Sequence, residues 1–381
     1  MTEVREVAIV GAGLLGLAAA RALANRGRDV VVLEQAEVGH AGAGSKGSCR
    51  IFRLGYPDPD YVAAARRAGE LWRDLEAESG RQIRWPTPQL TFGSGLADVQ
   101  HALQAAGAPG ELLPAAAVAE RFGAVRVNAP ALFEPQSAVL AADVALDVLA
   151  ARAGDYRTGA RVLRIADDGR QVTLHTSAGP VTAQTAIVTA GPWSRGLLAP
   201  LGATLLTTPT LEQVGYLSPA ATPAGTATPA STATPASTAF GSTPIFICHD
   251  EPAPYGLPVP GSPLYKIGIH RSGRVADPDA QDQSPDPDLI DRLSQVAARL
   301  LPGYDPTPAA TERCVYDNTP DEDFILDRIG NVVVGCGTSG HGFKFGPLLG
   351  EWLADLATGA ADGPDSRLRA RFAAGRFASA G

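Results

Sequence analysis

The segment Val7-Ala8-Ile9-Val10-Gly11-Ala12-Gly13-Leu14-Leu15-Gly16 decides the fold. Four apolar residues, three of them β-branched, give way to glycines at 11, 13 and 16. The run 17–24 that follows is rich in Ala and Leu and holds no β-branched residue. A strand buried on both faces reads as a continuous apolar run, and the later run suits a helix. A second β-branched stretch, Val30-Val31-Val32-Leu33, ends in Glu34. The pattern is strand, glycine turn, helix, strand. In it Gly11 makes the tight turn, Gly13 lets the backbone approach a pyrophosphate, and Gly16 lets the helix pack on the sheet. Phosphates then lie at the helix N-terminus, by Leu14 and Leu15, where free N–H groups and the helix dipole favour an anion. Glu34, about 20 residues on, is spaced to accept from a ribose hydroxyl and to repel a 2′-phosphate. The motif alone leaves NAD and FAD both open.

Outward from this segment, 381 residues at 45% apolar predict a full core, in two domains or one large interleaved one. A net charge of −8 argues against a nucleic-acid or membrane-surface partner. No stretch approaches the ~18 consecutive apolar residues of a membrane span. The first residues carry no signal-peptide pattern, and Cys49, Cys248, Cys314 and Cys336 lack metal-ligand spacing. A reduced, cytoplasmic chain without a metal is the expectation.

A loop of small residues, 39–47, runs into Ser48-Cys49-Arg50-Ile51-Phe52-Arg53-Leu54-Gly55-Tyr56 and can lie close against a ligand. Helices are expected at 61–80, where Ala65, Ala68, Leu71, Trp72 and Leu75 form one stripe, near 95–106, at 143–153, at 286–300 and at 346–358. Strands are expected at 161–165, 171–175 and 182–189, the last closing on Ala190-Gly191-Pro192-Trp193-Ser194. Residues 218–240 repeat TATPAS at 226–231 and 232–237 and lack apolar periodicity. They read as a disordered, low-complexity loop insertion without a function of its own. Near the end, Val332-Val333-Val334-Gly335 leads into Gly337-Thr338-Ser339-Gly340-His341-Gly342-Phe343-Lys344-Phe345. A strand opens there into a glycine loop whose N–H groups face a ligand, so the two ends of the chain are expected to share one.

Five stretches carry a family resemblance. They are GAGLLG with Glu34; GSKGSCRIFRLGY at 44–56; FEPQSAVL at 133–140; YGLPVPGSPLYKIGIH at 255–270; and CVYDNTPDEDFILD at 314–327 together with GCGTSGHGFKFGPLLGE at 335–351. Over nearly its whole length the chain resembles monomeric sarcosine oxidase and its relatives. Those include N-methyltryptophan oxidase, pipecolate oxidase and the flavin oxidases of nikkomycin-type biosynthesis. The resemblance selects FAD over NAD. It implies an α/β fold with a Rossmann-like FAD-binding domain of the glutathione-reductase type, assembled from residues 1–84, 141–207 and 317–381. An interleaved α+β substrate domain, residues 85–140 and 208–316, would cover the flavin with a mixed or antiparallel sheet.

The same resemblance implies residue roles. Lys266 stands in an otherwise apolar strand pattern, so it either faces solvent or is buried for a purpose; the implied purpose is to hold a water near flavin N5 and activate O2. Arg53 and Lys344, from opposite ends of the chain, form the implied clamp for a substrate carboxylate, one a planar fork and the other a point charge. Arg50 lies beside the flavin ring and Cys314 forms a thioether with the flavin 8-methyl group. Tyr255 and His270 line the catalytic cavity, and Phe246 with Cys248 shapes its side-chain pocket. Implied FAD contacts are Gly11, Gly13, Leu14, Leu15, Gly16, Glu34, Ser45, Arg50, Val162, Gly191, Trp193, Cys314, Gly337, Ser339, Gly340, His341, Gly342, Phe343 and Lys344. Cys49, Cys248 and Cys336 are assigned structural roles. The loop before Arg50 is one residue shorter than the family's usual version, and Lys46 stands where the family commonly has His.

The expected activity is FAD-dependent oxidation of a secondary or cyclic amino acid, such as sarcosine, another N-methyl amino acid or a pipecolate-like ring. The C–N bond becomes an imine and O2 becomes H2O2. No general base stands out. A monomer is expected, with the small-molecule substrate and O2 as its only partners. One alternative is a secondary-metabolite tailoring oxidase that desaturates a heterocyclic carboxylate. Another is a non-catalytic FAD-binding protein, against which the joint presence of Arg53, Lys266 and Lys344 argues.

Overall fold

A computed structural model describes residues 4–220, 243–280, 282–360 and 366–377. Most of the low-complexity insertion, residues 221–240, lies outside the described residues. The N-terminal segment folds as its pattern dictates: strand Val4–Val10, helix Leu14–Asn25, strand Val30–Leu33. The two strands pair in parallel, Val7 opposite Val30 and Val10 opposite Leu33. On its other side Val4–Val10 pairs in parallel with Gly179–Val188. This core grows into an eight-stranded sheet through Val162–Asp167, Val172–Thr176 and Asp155–Arg157, and through Val332–Cys336 with Ile325–Ile329.

Successive side chains of a strand point to opposite faces. Val7 and Ile9 therefore enter a core with Leu17, Leu23 and Leu349, while Ala8 and Val10 enter another with Val172, Leu174 and Leu198. Each Leu, Ile or Val so buried contributes about 1.5–3 kcal/mol before the chain-entropy cost. The first helix lies against the late helix Gly346–Thr358, and a Cβ added to Gly350 would stand 2.5 Å from the Ala18 backbone. Gly16 is tighter still, with its added Cβ 1.9 Å from the Gly11 carbonyl oxygen. Only glycine permits the close helix–sheet approach read from the motif.

A second, nine-stranded sheet is mixed and largely antiparallel. It runs Arg274–Val275, Thr208–Leu217, Tyr265–Ile269, Pro254–Pro258, Ile245–Cys248, Gln89–Phe92, Ala131–Glu134, Glu111–Leu113, with Ala310–Asn318 along Thr208–Leu217. Helix Pro287–Leu300 packs Leu293, Val296 and Leu300 onto its outer face, beside Tyr265, Ile267 and Ile269. The period of two then turns Lys266 to the opposite face. A three-stranded sheet of Cys49–Phe52, Ala138–Ala141 and Arg84–Pro86 packs Cys49 and Val139 against Ile245 and Leu257 of the nine-stranded sheet.

Several boundaries differ from expectation for local reasons. The helix expected at 61–80 runs Pro59–Ser79, because Asp58 accepts from Asp60 N at 2.8 Å as N-cap and Pro59 suits the first turn. It stops at Gly80, φ +67. The strand expected from 182 starts at Gly179. The segment Ser366–Phe372 is helical and was not expected: it carries three arginines and little apolar periodicity, and Arg371 anchors it to Asp58 and Asp323.

Candidate active site

A cavity of about 860 Å³ is bounded by residues of both large sheets. Every site residue named from the sequence lines it, except Gly16, Phe246 and Ser339. Gly16 acts beneath the turn, as its spacing implies. Phe246 is a correction: it is fully buried in the core, stacked 6.2 Å from Tyr265, and its neighbour Ile247 takes the cavity side instead. Ser339 is a second correction. Its hydroxyl accepts from Thr319 N at 3.1 Å and its side chain is fully buried, so it braces the glycine loop rather than meeting a ligand. All four cysteines border the cavity.

One end suits a dinucleotide. Gly11 has φ +99 and its added Cβ would stand 2.7 Å from Thr189 O, so this cradle has no room for a side chain. Leu14 N, in the first helical turn, donates to Ser45 Oγ at 3.0 Å. Glu34 is buried and accepts from Ala12 N at 2.8 Å and Ala36 N at 3.0 Å, which fixes its carboxylate at the strand end. A helix N-terminus for the pyrophosphate, a carboxylate to accept from the ribose hydroxyls and a glycine cradle are what a dinucleotide needs, and these residues fit FAD. Trp193 and Arg161 at this end both donate to Asp279, at 2.8 Å each. Among the described residues no cluster of three or more His, Cys, Asp or Glu could hold a metal.

The middle of the cavity gathers Lys266, Arg50 and Cys314. Lys266 is 5% exposed and donates to Cys49 O at 3.2 Å; Arg50 donates to the same carbonyl at 2.9 Å. Burial pushes Lys266 below its ordinary value, and Arg50 pushes it the same way. Burial pushes the Cys314 thiol up, while Arg50 and Lys266 pull it back. Arg50 also lies over the Phe343 ring, 5.5 Å from its centroid. Tyr255 stands beside Cys314 and Tyr316, and burial raises both phenols.

The far end brings Arg53 and Lys344 around one ring. The Arg53 guanidinium lies 4.3 Å from the Tyr56 centroid and donates to Gly55 O. Lys344 Nζ donates to Tyr56 Oη at 2.9 Å and to His341 O at 2.8 Å. The Glu322 carbonyl, 2.9 Å from His341 Nε2, can only accept, so Nε2 carries the ring proton. Nδ1 then accepts from the Tyr56 hydroxyl at 3.2 Å. Burial, with Lys344 beside it, holds His341 down at about 3, so the imidazole is neutral. His270 sits at the rim, 3.7 Å from the Glu322 carboxylate, and this pairing pushes Glu322 down to about 2.

Sequence reading missed two members of this end. Tyr56 lay inside a quoted motif but drew no assignment. Glu134 is 2% exposed and accepts from Gly55 N at 2.7 Å, Gln89 Nε2 at 2.7 Å and Thr91 Oγ1 at 3.0 Å. It grips the N–H of Gly55 while Arg53 grips that residue's carbonyl. The available signal was a carboxylate ending the short apolar run Ala131-Leu132-Phe133-Glu134.

Known proteins resemble this chain over most of its length. Residues 6–356 match the model of the family described as FAD dependent oxidoreductase. Peroxisomal sarcosine oxidase of Mus musculus is 32% identical over 378 residues, 93% of each chain. Monomeric sarcosine oxidase of Bacillus sp. (strain NS-129) is 31% identical, covering 93% of this chain and 92% of its own. Among solved structures, NikD, an unusual amino acid oxidase essential for nikkomycin biosynthesis, superposes with a TM-score of 0.82 at 27% identity over 98% of both chains. The matched span takes in both glycine cradles and the site cations Arg50, Arg53, Lys266 and Lys344, and the chain belongs to the FAD dependent oxidoreductase family, as an enzyme of amine oxidation.

Proposed function

We propose that the protein oxidises a secondary or cyclic amino acid, held by its carboxylate between Arg53 and Lys344, to the imine. The carrying observation is that these two cations, from opposite ends of the chain, meet at Tyr56 on one wall of the cavity that also holds Lys266 and Cys314. The glycine cradle at Gly11 and Gly13 with Glu34 would hold FAD, which would supply the two-electron oxidation of the carbon next to nitrogen with O2 as final acceptor and H2O2 as product. Arg53 supplies directed donors and Lys344 a point charge. Tyr56 fixes both heads, and the buried surroundings strengthen each interaction by excluding water. Lys266 offers a cation where charge grows on O2. The experiment is a panel of N-methyl, N-unsubstituted and cyclic amino acids, each beside its carboxamide, with peroxide as readout. Turnover confined to the carboxamides, or no turnover at all, sinks the reading. The likeness to NikD favours a second reading, a tailoring oxidase acting on a heterocyclic carboxylate, which the cyclic members of the panel address.

Covalent attachment through Cys314 belongs to the same proposal. Its thiol faces the cavity between Arg50 and Lys266, whose charges favour the thiolate against burial. After acid precipitation of the wild-type enzyme, yellow colour is expected in the pellet. In Cys314→Ala it is expected in the supernatant, with FAD still bound before precipitation. Colour in the supernatant of both proteins removes the assignment. A monomer in the cytoplasm is proposed too, and light scattering checks the mass. Among the described residues no helix is long and apolar enough to cross a membrane.

A further inference from the structure

Lys344 is 5% exposed, and both acceptors it meets, Tyr56 Oη and His341 O, are uncharged. An ammonium has three donors, and the third is left for the cavity that Lys344 lines. The carboxylates near it are already engaged. Glu134 holds Gly55, Gln89 and Thr91 behind Arg53. Glu322 pairs with Arg271 and His270. Asp323 accepts from Tyr61 at 2.8 Å and Arg371 at 2.6 Å, and Asp58 also takes Arg371. The other titratable groups around it, Tyr56, Tyr61, His341 and the rim residue His249, supply no negative charge; burial and Arg53 both depress His249. A lone buried ammonium beside a guanidinium is an unfavourable arrangement.

Resting on the clamp proposed above, we infer that Lys344 is a neutral amine in the empty site and takes up one proton as a carboxylate enters. For an amino acid the proton comes from the substrate itself. The zwitterion's R₂NH₂⁺ gives H⁺ to Lys344 NH₂, leaving R₂NH and Lys344 NH₃⁺, so charge and protons balance. The carboxylate then lies between two cations, and the amine holds the free lone pair that oxidation of the neighbouring carbon requires. This accounts for a site with no dedicated general base. The electrostatics agree, since burial first and Arg53 second hold Lys344 well below its ordinary value.

The test is calorimetric titration of the holoenzyme with methoxyacetate, which has an ether oxygen where sarcosine has its amine and so brings no proton. Runs at pH 8 in two buffers of different ionisation enthalpy count protons. Uptake near one per anion is expected, with affinity falling about tenfold per pH unit wherever the empty site is deprotonated. In Lys344→Met, methoxyacetate should bind more weakly with no uptake. Binding to wild type without uptake overturns the inference and leaves the clamp standing. Undiminished uptake in Lys344→Met assigns the proton elsewhere and overturns it as well. If methoxyacetate does not bind at all, the clamp falls and the inference with it.

Discussion

Lys266→Met is expected to slow reaction of the reduced enzyme with O2 by about 10²–10³-fold, the usual effect of removing one preorganised electrostatic group. Anaerobic bleaching by substrate should stay within a few-fold. The asymmetry follows from position. Lys266 projects from Tyr265–Ile269 to the cavity face, while Tyr265, Ile267 and Ile269 bury in the core opposite. Its head donates to the Cys49 carbonyl and lies 5.8 Å from the Tyr216 ring centroid, whereas Arg53 and Lys344 gather around Tyr56. Burial and Arg50 weaken its hold on a proton, and Glu312 and the neighbouring thiols strengthen it. A cation so poised gains most when negative charge appears beside it, which happens as O2 is reduced and not while the amine is oxidised. Met keeps the length and packs in the same slot. Stopped-flow absorbance separates the two half-reactions. Equal slowing of both would show that Lys266 shapes the cavity rather than handling O2.

Much of this was legible in the sequence because it rests on short-range rules. The strand, glycine turn, helix and strand of residues 4–33 follow from β-branched runs and from glycines that sterics make irreplaceable, with Gly16 and Gly11 backbones in near contact. Lys266 stood out because a charge interrupts an apolar strand. The misses share a different cause. Phe246 and Ile247 are adjacent, and only the pairing of Ile245–Cys248 with Gln89–Phe92 and Pro254–Pro258 determines which of them faces the cavity. A one-residue shift of register exchanges the faces. Ser339 sits in a glycine loop that reads as ligand-binding throughout, yet its partner Thr319 is 20 residues away in the chain. Glu134 and Tyr56 act on residues that the fold alone brings near, and no local spacing announces such contacts.

Arg53→Met is expected to raise KM for the amino acid about 10–150-fold, the equivalent of the roughly 1.5–3 kcal/mol that a hydrogen bond to a charged group contributes. The effect belongs in KM because the carboxylate carries the same charge before and during reaction, so the clamp stabilises both states alike. A smaller loss in kcat reflects poorer aim of the reacting carbon. Steady-state kinetics across the substrate panel reads both. Two consequences distinguish a binding group from a structural one. Arg53 is one of the charges that hold Lys344 down, so its loss should raise Lys344 and reduce proton uptake on methoxyacetate binding. Arg53 also opposes the burial that pushes Glu134 up, so its removal leaves a buried carboxylate less well compensated and should lower the melting temperature. Adding Glu134→Gln removes the stranded charge: its Oε1 can still accept from Gly55 N, and its Nε2 can donate to Gln89 Oε1, which is buried without a partner, once the Gln89 amide flips. The double variant should therefore recover stability without recovering KM, whereas recovery of both would mean that Arg53 serves the turn at Gly55 and not the substrate.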